Sequence, residues 1–188
     1  TVIKSERFRQ KTIDLYHIPS KKIIVFEVWR DFPLYSEPLA KSNFLFFGRL
    51  RRYKGLENMK RIAELCPAVE FVLAGSPDKA SIPMVRSIRE SCSNVKIIDR
   101  EVTEYEMEKI FRASSWVLLP YESASQSGVL IDAYKYGKPV IAFDVGAIGS
   151  QIVNGKTGFV IAPGDLDEFA RRVKLACAMD ADEYAIFS

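Results

Sequence analysis

The sequence is poor in the side chains that do most enzymatic chemistry: it holds one histidine and three cysteines among 188 residues. His17 has no acid or nucleophile near it in the chain and so supplies no catalytic constellation, which makes it a structural residue. Cys66, Cys92 and Cys177 are odd in number, widely spaced and flanked by apolar residues, and so read as reduced core thiols, not as a disulfide framework or a metal site. No apolar run reaches the length of about 18 residues that a membrane-spanning helix needs, and no signal peptide opens the chain. A cytoplasmic protein is expected. Charge of either sign is not in excess: 27 Lys and Arg against 24 Asp and Glu leave a net +3, which implies little about partners, and no nucleic acid is expected among them. Two nucleotide fingerprints are missing as well. No G-x-G-x-x-G follows a strand, since Gly75 is succeeded by Ser76, Pro77 and Asp78 and the Gly146 to Gly149 segment is only G-x-x-G, which argues against a nicotinamide-dependent oxidoreductase. The GKTG at Gly155 lacks the upstream glycine and long helix of a P-loop.

What the sequence does contain is a regular alternation. From Asn43 onward, strands are expected at Asn43 to Phe47, Val69 to Ala74, Val95 to Ile98, Trp116 to Leu119, Pro139 to Phe143 and Gly158 to Ile161. Helices fall between them at Leu56 to Cys66, Ile82 to Cys92, Thr103 to Ala113 and Ser125 to Gly137, with a last one from Asp165 to Met179. Thr103 with Glu106 forms a capping box, and Asp165 with Glu168 three residues on marks another helix start. The strands FLFF, FVLA, WVLL and VIAF are continuous apolar runs, as expected of strands covered on both faces by helices. The fold class is therefore α/β, a doubly wound and mainly parallel sheet.

The first 40 residues differ. Ser5 to Tyr16 has helical spacing, Pro19 stops it before a strand at Ile23 to Val28, and the stretch from Trp29 to Asn43, with two prolines and no period, reads as a linker. The domain boundary is placed near Lys41, giving 1–40 as the tail of a preceding domain plus linker and 41–188 as one domain. The length fits one domain with an appendage, and the chain reads as a piece of something longer.

Three loops lie at the carboxyl ends of strands, where such sheets bind ligands. The segment from Val117 to Asp144 is a βαβ unit whose loop of Ser, Ala, Gln and Gly opens a helix, so Ser125, Gln126, Ser127 and Gly128 face the positive end of a helix dipole and its free N–H groups. Asp132 follows on the same helix face, roughly 6 to 10 Å along the axis, within reach of a ribose beyond a bound phosphate. An ordinary N-cap followed by a solvated acid paired with Lys135 explains this stretch equally well. The loop Gly48 to Gly55 packs Arg49, Arg51, Arg52 and Lys54 beside that helix, a solvated basic loop or an anion site. A third loop, Asp99 to Val102, could border a nucleobase through its backbone, and Asp99 and Arg100 are included among the candidates. The glycines of Asp144 to Ser150 and Asn154 to Gly158 suit tight turns.

Across about 150 residues, FFGRL, YKG, VEFVLAGS, NVKIID, SQSGVLIDAYKYGKPVIAFDVG and NGKTGFVIAPGD resemble, in order and spacing, the C-terminal half of a retaining, GT-B fold glycosyltransferase of family 4, group 1. The resemblance implies a Rossmann-like domain that binds a nucleotide-diphosphate sugar. It implies that Arg49, after Gly48, and Lys54 clamp the donor diphosphate and stabilise the leaving group, that Ser127, Gly128 and Val129 present backbone to phosphate, and that Asp132 holds the ribose. It departs from the family's Glu-x7-Glu pair, whose first acid would stand at Ala124 and whose second is shortened to Asp132; Glu122 lies two residues early. The implied acceptor is a glycan or lipid-linked intermediate of cell-surface polysaccharide synthesis, lipopolysaccharide included, at the inner face of the cell membrane, with membrane contact through the N-terminal half. No cofactor and no metal are expected: Asp165 and Asp167 belong to a helix start, Asp180 and Asp182 to a frayed end, and two cations already face the diphosphate. A nucleotide-binding module without transfer is the alternative that Ala124 suggests.

Overall fold

A computed structural model describes residues 2–3, 9–17, 19–25 and 43–187. At the start of the chain, β1 (Val2–Ile3) pairs in parallel with β2 (Ile24–Val25), and α1 (Arg9–Tyr16) lies between them in sequence. The linker from Trp29 and the boundary near Lys41 fall outside the described residues.

From Asn43 the alternation is realised in full. The elements are β3 (Asn43–Phe47), α2 (Leu56–Leu65), β4 (Glu70–Ala74), α3 (Ile82–Ser91), β5 (Val95–Ile98), α4 (Glu104–Arg112), β6 (Trp116–Leu119), α5 (Gly128–Lys135), β7 (Val140–Phe143), β8 (Gly158–Ile161), α6 (Leu166–Ala178) and α7 (Ala181–Ala185). The main sheet has the order β5-β4-β3-β6-β7-β8, and every adjacent pair is parallel. Right-handed crossovers then put α2 and α3 on one face and α4 and α5 on the other, because the chain reverses its direction across the sheet after β5. The last long helix, α6, returns to pack on α2.

Side chains alternate across the sheet as the pleat requires. The Phe47 ring meets Phe111 of α4 at 5.0 Å, while its neighbour Phe46 turns to the other face and meets Tyr121. Phe143 of β7 packs on Phe169 of α6 at 5.1 Å. The apolar stripe of α2, Leu56, Met59, Ile62 and Ala63, is buried at helical spacing. Each of the larger side chains among these contributes about 1.5–3 kcal/mol by leaving water, which is what fixes the layers.

Local signals set the helix starts. Thr103 Oγ1 accepts from the Glu106 N–H at 3.3 Å and the Glu106 carboxylate accepts from the Thr103 N–H at 3.0 Å, the expected capping box. Asp165 accepts from the Glu168 N–H at 3.0 Å. The end of the chain corrects the reading as frayed: Asp180 and Glu183 form a second capping box, and α7 sets Tyr184 against Trp116, with its hydroxyl donating to the Ser115 carbonyl at 2.7 Å.

Candidate functional site

The sheet diverges between β3 and β6, and the loops leaving these two strands are locked together. Gly55, with φ +77°, begins α2 where an added Cβ would lie 1.8 Å from the Pro120 carbonyl oxygen, so only glycine lets the two backbones approach. The Tyr53 carbonyl accepts from the N–H groups of Glu122 at 3.0 Å and Ser123 at 3.4 Å, and Asn58 Nδ2 donates to the Pro120 carbonyl at 2.8 Å. The basic loop and the loop before α5 therefore form one rim at the topological switch point, the usual ligand crevice of open α/β sheets.

Four cations were expected to crowd this rim, and one is engaged elsewhere: Arg51 pairs with Asp78 at 3.8 Å. Arg49 and Arg52 are exposed, and among the described residues neither they nor Lys54 has an acidic partner. Lys54 is half-buried, with its ammonium over the Tyr121 ring at 5.3 Å from the centroid. Burial pushes the Lys54 ammonium below its usual pKa, and the Arg49 and Arg51 guanidiniums add repulsion. A Cβ on Gly48 would lie 3.0 Å from Lys54 Nζ and 3.3 Å from Val129 Cγ2, so the lysine, the turn after β3 and the first turn of α5 meet at one point.

Helix α5 starts three residues later than the expected Ser125. Its N-cap is Ser127, whose hydroxyl accepts from the Leu130 N–H at 3.3 Å, and Gly128 is the first helical residue. The displacement has a tertiary cause: the Ser125 carbonyl accepts from Ala147 N at 3.2 Å, and Gly146 packs on the Ala124 carbonyl so closely that a Cβ there would sit 1.7 Å away. The loop after β7 thus holds residues 124–125 out of the helix. The N–H groups of Gly128 and Val129 have no acceptor among the described residues, as expected of the first helical turn. A Cβ on Gly128 would meet no protein atom within 4 Å. Asp132 is half-buried one turn further on, and the Lys135 ammonium lies over the Tyr136 ring at 5.1 Å.

Thus Gly48, Arg49, Lys54, Ser127, Gly128 and Val129 come together on the β3–β6 crevice, with Ser125 and Gln126 on its rim and Asp132 behind it. Asp99 and Arg100 leave the edge strand β5 and are exposed. Asp99 pairs with Arg89 at 2.9 Å and Arg100 with Glu106 at 2.6 Å, so the side chains are engaged locally and the backbone of this loop is what it can offer a base. Sequence reasoning missed Tyr121, whose only signal is an aromatic residue at the end of an apolar strand. Its hydroxyl is buried beside Ser127 without a hydrogen bond of good geometry, and that burial raises its pKa. Glu122, with Glu57, Asn58, Arg61 and Tyr121, lines a cavity of about 550 Å³ on the α2 side of the rim. A cavity of about 770 Å³ lies at the opposite end of the sheet, against Asn43, Val69 and Lys109, away from these groups. Among the described residues, no cluster of three or more His, Cys, Asp or Glu is placed to hold a metal ion, and no helix is long and apolar enough to cross a membrane.

The fold and the crevice define a doubly wound α/β domain whose switch point carries N–H groups and cations that have no acceptor or acidic partner among the described residues. The family is settled by comparison: the model of the family "Glycosyl transferases group 1" matches residues 41–178, and the chain belongs to that family. Relatives include the D-inositol 3-phosphate glycosyltransferase of Mycobacteroides abscessus, 25% identical over 130 residues, which are 66% of this chain and 29% of that protein. The enzyme of the same name from Mycolicibacterium gilvum is 21% identical over 201 residues, 97% of this chain and 45% of that one. The chain thus spans less than half the length of these relatives. Among solved structures, a TarM variant of S. aureus in complex with fondaparinux, alpha-GlcNAc-glycerol and UDP superposes with TM-score 0.84 at 18% identity, over 99% of this chain and 38% of that one. Anabaena HepE in complex with UDP and glucose gives TM-score 0.81 at 20% identity, over 99% and 55%. The fold is accordingly that of the C-terminal domain of GT-B glycosyltransferases, and membership of the family excludes the oxidoreductase reading.

Proposed function

We propose that this chain is the donor-binding part of a glycosyltransferase that takes a sugar from a nucleotide diphosphate and passes it, with retention, to a glycan or lipid-linked acceptor in cell-surface polysaccharide synthesis. The observation that carries it is the meeting of Lys54 with the N-terminus of α5 across Gly48, beside an exposed Arg49. Two cations and two free N–H groups on one crevice form an electrostatic site of the oxyanion-hole type, suited to the charge that develops on a leaving diphosphate. Gly128 supports the same reading, because nothing in the protein occupies the space a side chain would fill there. Asp132 is assigned to the ribose and the backbone of Asp99 and Arg100 to the base. With two cations on the diphosphate, no metal is needed to neutralise it.

In this reading residues 41–188 are the donor domain and residues 1–40 the end of an acceptor-binding domain that also makes the peripheral contact with the inner face of the membrane. UDP in the TarM and HepE complexes makes uracil the first base to try. Calorimetric titration of the chain should show saturable binding of UDP or GDP that survives a chelator, with no turnover of the matching sugar donor, since both halves of the cleft are needed for chemistry. Chelator-sensitive binding restored by Mn²⁺ would remove the metal-free assignment, and turnover by the chain alone would remove the division of labour. Ala124, where the family has an acid, favours a second reading in which transfer has been lost and binding kept. A longer form containing both domains that binds the donor and never turns it over would select that reading.

A further inference from the structure

Lys54 and Ser127 stand on different loops, and one side chain borders both. Tyr121 follows Pro120 at the end of β6 and is only 2% exposed. The Lys54 ammonium lies over its ring, the edge of Phe46 supports the ring at 6.4 Å and 66°, and its hydroxyl is buried beside the Ser127 cap. Its backbone is not free to follow a moving side chain. The Pro120 carbonyl is gripped by Asn58 of α2 and pressed by Gly55, and the next N–H, that of Glu122, is bound to Tyr53. A lysine has four rotatable bonds and a compact charge, so by itself it holds no fixed geometry. An aromatic face fixed on both sides gives it one.

We propose that Tyr121 is a positioning residue for the donor diphosphate: its ring holds the Lys54 ammonium at the mouth of α5, so that the cation and the free N–H groups of Gly128 and Val129 converge on one anion. The ring is assigned this role and the hydroxyl is not, because the hydroxyl makes no well-formed hydrogen bond among the described residues. The depressed pKa of Lys54 agrees with an ammonium lodged against a ring in place of water. This inference rests on the donor-binding reading and adds to it the residue that fixes the lysine.

The test titrates UDP and uridine into the protein carrying Tyr121→Phe, Tyr121→Leu, Lys54→Met, and Lys54→Met with Tyr121→Leu. Loss of a cation–π contact predicts that Tyr121→Leu weakens UDP by about threefold to thirtyfold while uridine stays within about twofold, and that Tyr121→Phe restores UDP. In the Lys54→Met background, Tyr121→Leu should add nothing. An equal loss for uridine, or the same loss with and without Lys54, overturns the role of Tyr121. A ligand-free readout guards against a misfolded variant: a ring that stabilises the ammonium holds its pKa up against burial, so NMR titration of dimethylated lysines should move Lys54 still further below its ordinary pKa in Tyr121→Leu, or in the volume-matched Tyr121→Met, and leave it in place in Tyr121→Phe. An unmoved Lys54 in the ring-less protein also overturns the inference. A wild type that binds neither UDP nor GDP overturns the donor reading itself, and the inference falls with it.

Discussion

Gly55 and Gly128 each sit at the first turn of a helix, yet they call for opposite outcomes on substitution. Gly55→Ala must adopt a left-handed backbone that costs an L-residue about 1–2 kcal/mol, and must also displace the Pro120 carbonyl. The variant should melt well below wild type. Gly128→Ala meets open space and improves helix propensity by up to about 1 kcal/mol, so its melting temperature should hold or rise while UDP affinity falls about tenfold, as a methyl blocks the phosphate. Unchanged UDP affinity in that variant would take the anion away from α5. Arg49→Ala and Lys54→Ala should each cost about 1.5–3 kcal/mol of diphosphate binding, less at high salt and far less for a bare nucleoside. Asp132→Ala should weaken nucleoside and nucleoside diphosphate alike and be silent toward a 2′,3′-dideoxy ligand. If Asp132→Ala instead discriminates by phosphate number, the orientation of the donor is reversed. Among these residues, the four cations of the Gly48 to Gly55 loop are legible as a local pattern, and it is the resemblance to the family that singles out Arg49 and Lys54; Tyr121 was not legible, because its contact with Lys54 joins two loops that are far apart in sequence.

At the level of elements, the cap of α4 makes a prediction about acid. Arg100, then the Thr103 N–H and hydroxyl, hold the Glu106 carboxyl down to about 2, and Arg171 and Arg172 hold Glu168 down to about 2 in the same way. A carboxylate whose folded pKa is depressed stabilises the fold above its unfolded value of about 4.3, and that stabilisation is lost as pH falls from there toward about 2. Both pairs are at the surface, so the effect is small and weakens with salt. Melting curves between pH 5 and about pH 2.5 should fall less steeply for Glu106→Gln than for wild type, with the variant less stable at neutral pH; parallel curves would mean the cap contributes nothing. The capping box at Thr103 is readable from four consecutive residues, whereas the one at Asp180 was passed over as part of a frayed end and shows itself only with α7 packed on Trp116. The start of α5 is not readable locally, because two serines compete for it and the loop after β7, through Ala147 and Gly146, selects Ser127.

On the scale of the whole molecule, the end of the chain closes the core at the amino ends of the strands. Trp116 stacks on Phe159 at 5.5 Å, and Tyr184 and Phe187 cover the pair. Ending the chain at Met179 should expose these rings and cost at least the burial of one tyrosine, about 1.5–3 kcal/mol, seen as a lower urea midpoint and dye binding to apolar surface. Equal midpoints would mean that α7 is an ornament on a core already complete. The crevice between Lys54 and α5 lies at the opposite end of the same strands, so this truncation should leave the UDP affinity of the folded fraction unchanged.

The sequence by itself determined the elements of the main sheet and their parallel character, because apolar periodicity, caps and turn glycines act over a few residues and recur along the chain, and its loop motifs carried the resemblance to the family. Only the tertiary structure decided that Arg51 is held by Asp78 while Arg49 and Lys54 have no acidic partner among the described residues, that α5 opens at Gly128, and that Tyr121 lies under the lysine. The physical reason is common to all three. A charge, a helix terminus and a ring acquire their roles from whatever is brought within a few ångströms of them, and around the switch point those neighbours come from the loops after β3, β4, β6 and β7, which the sequence separates and the sheet joins.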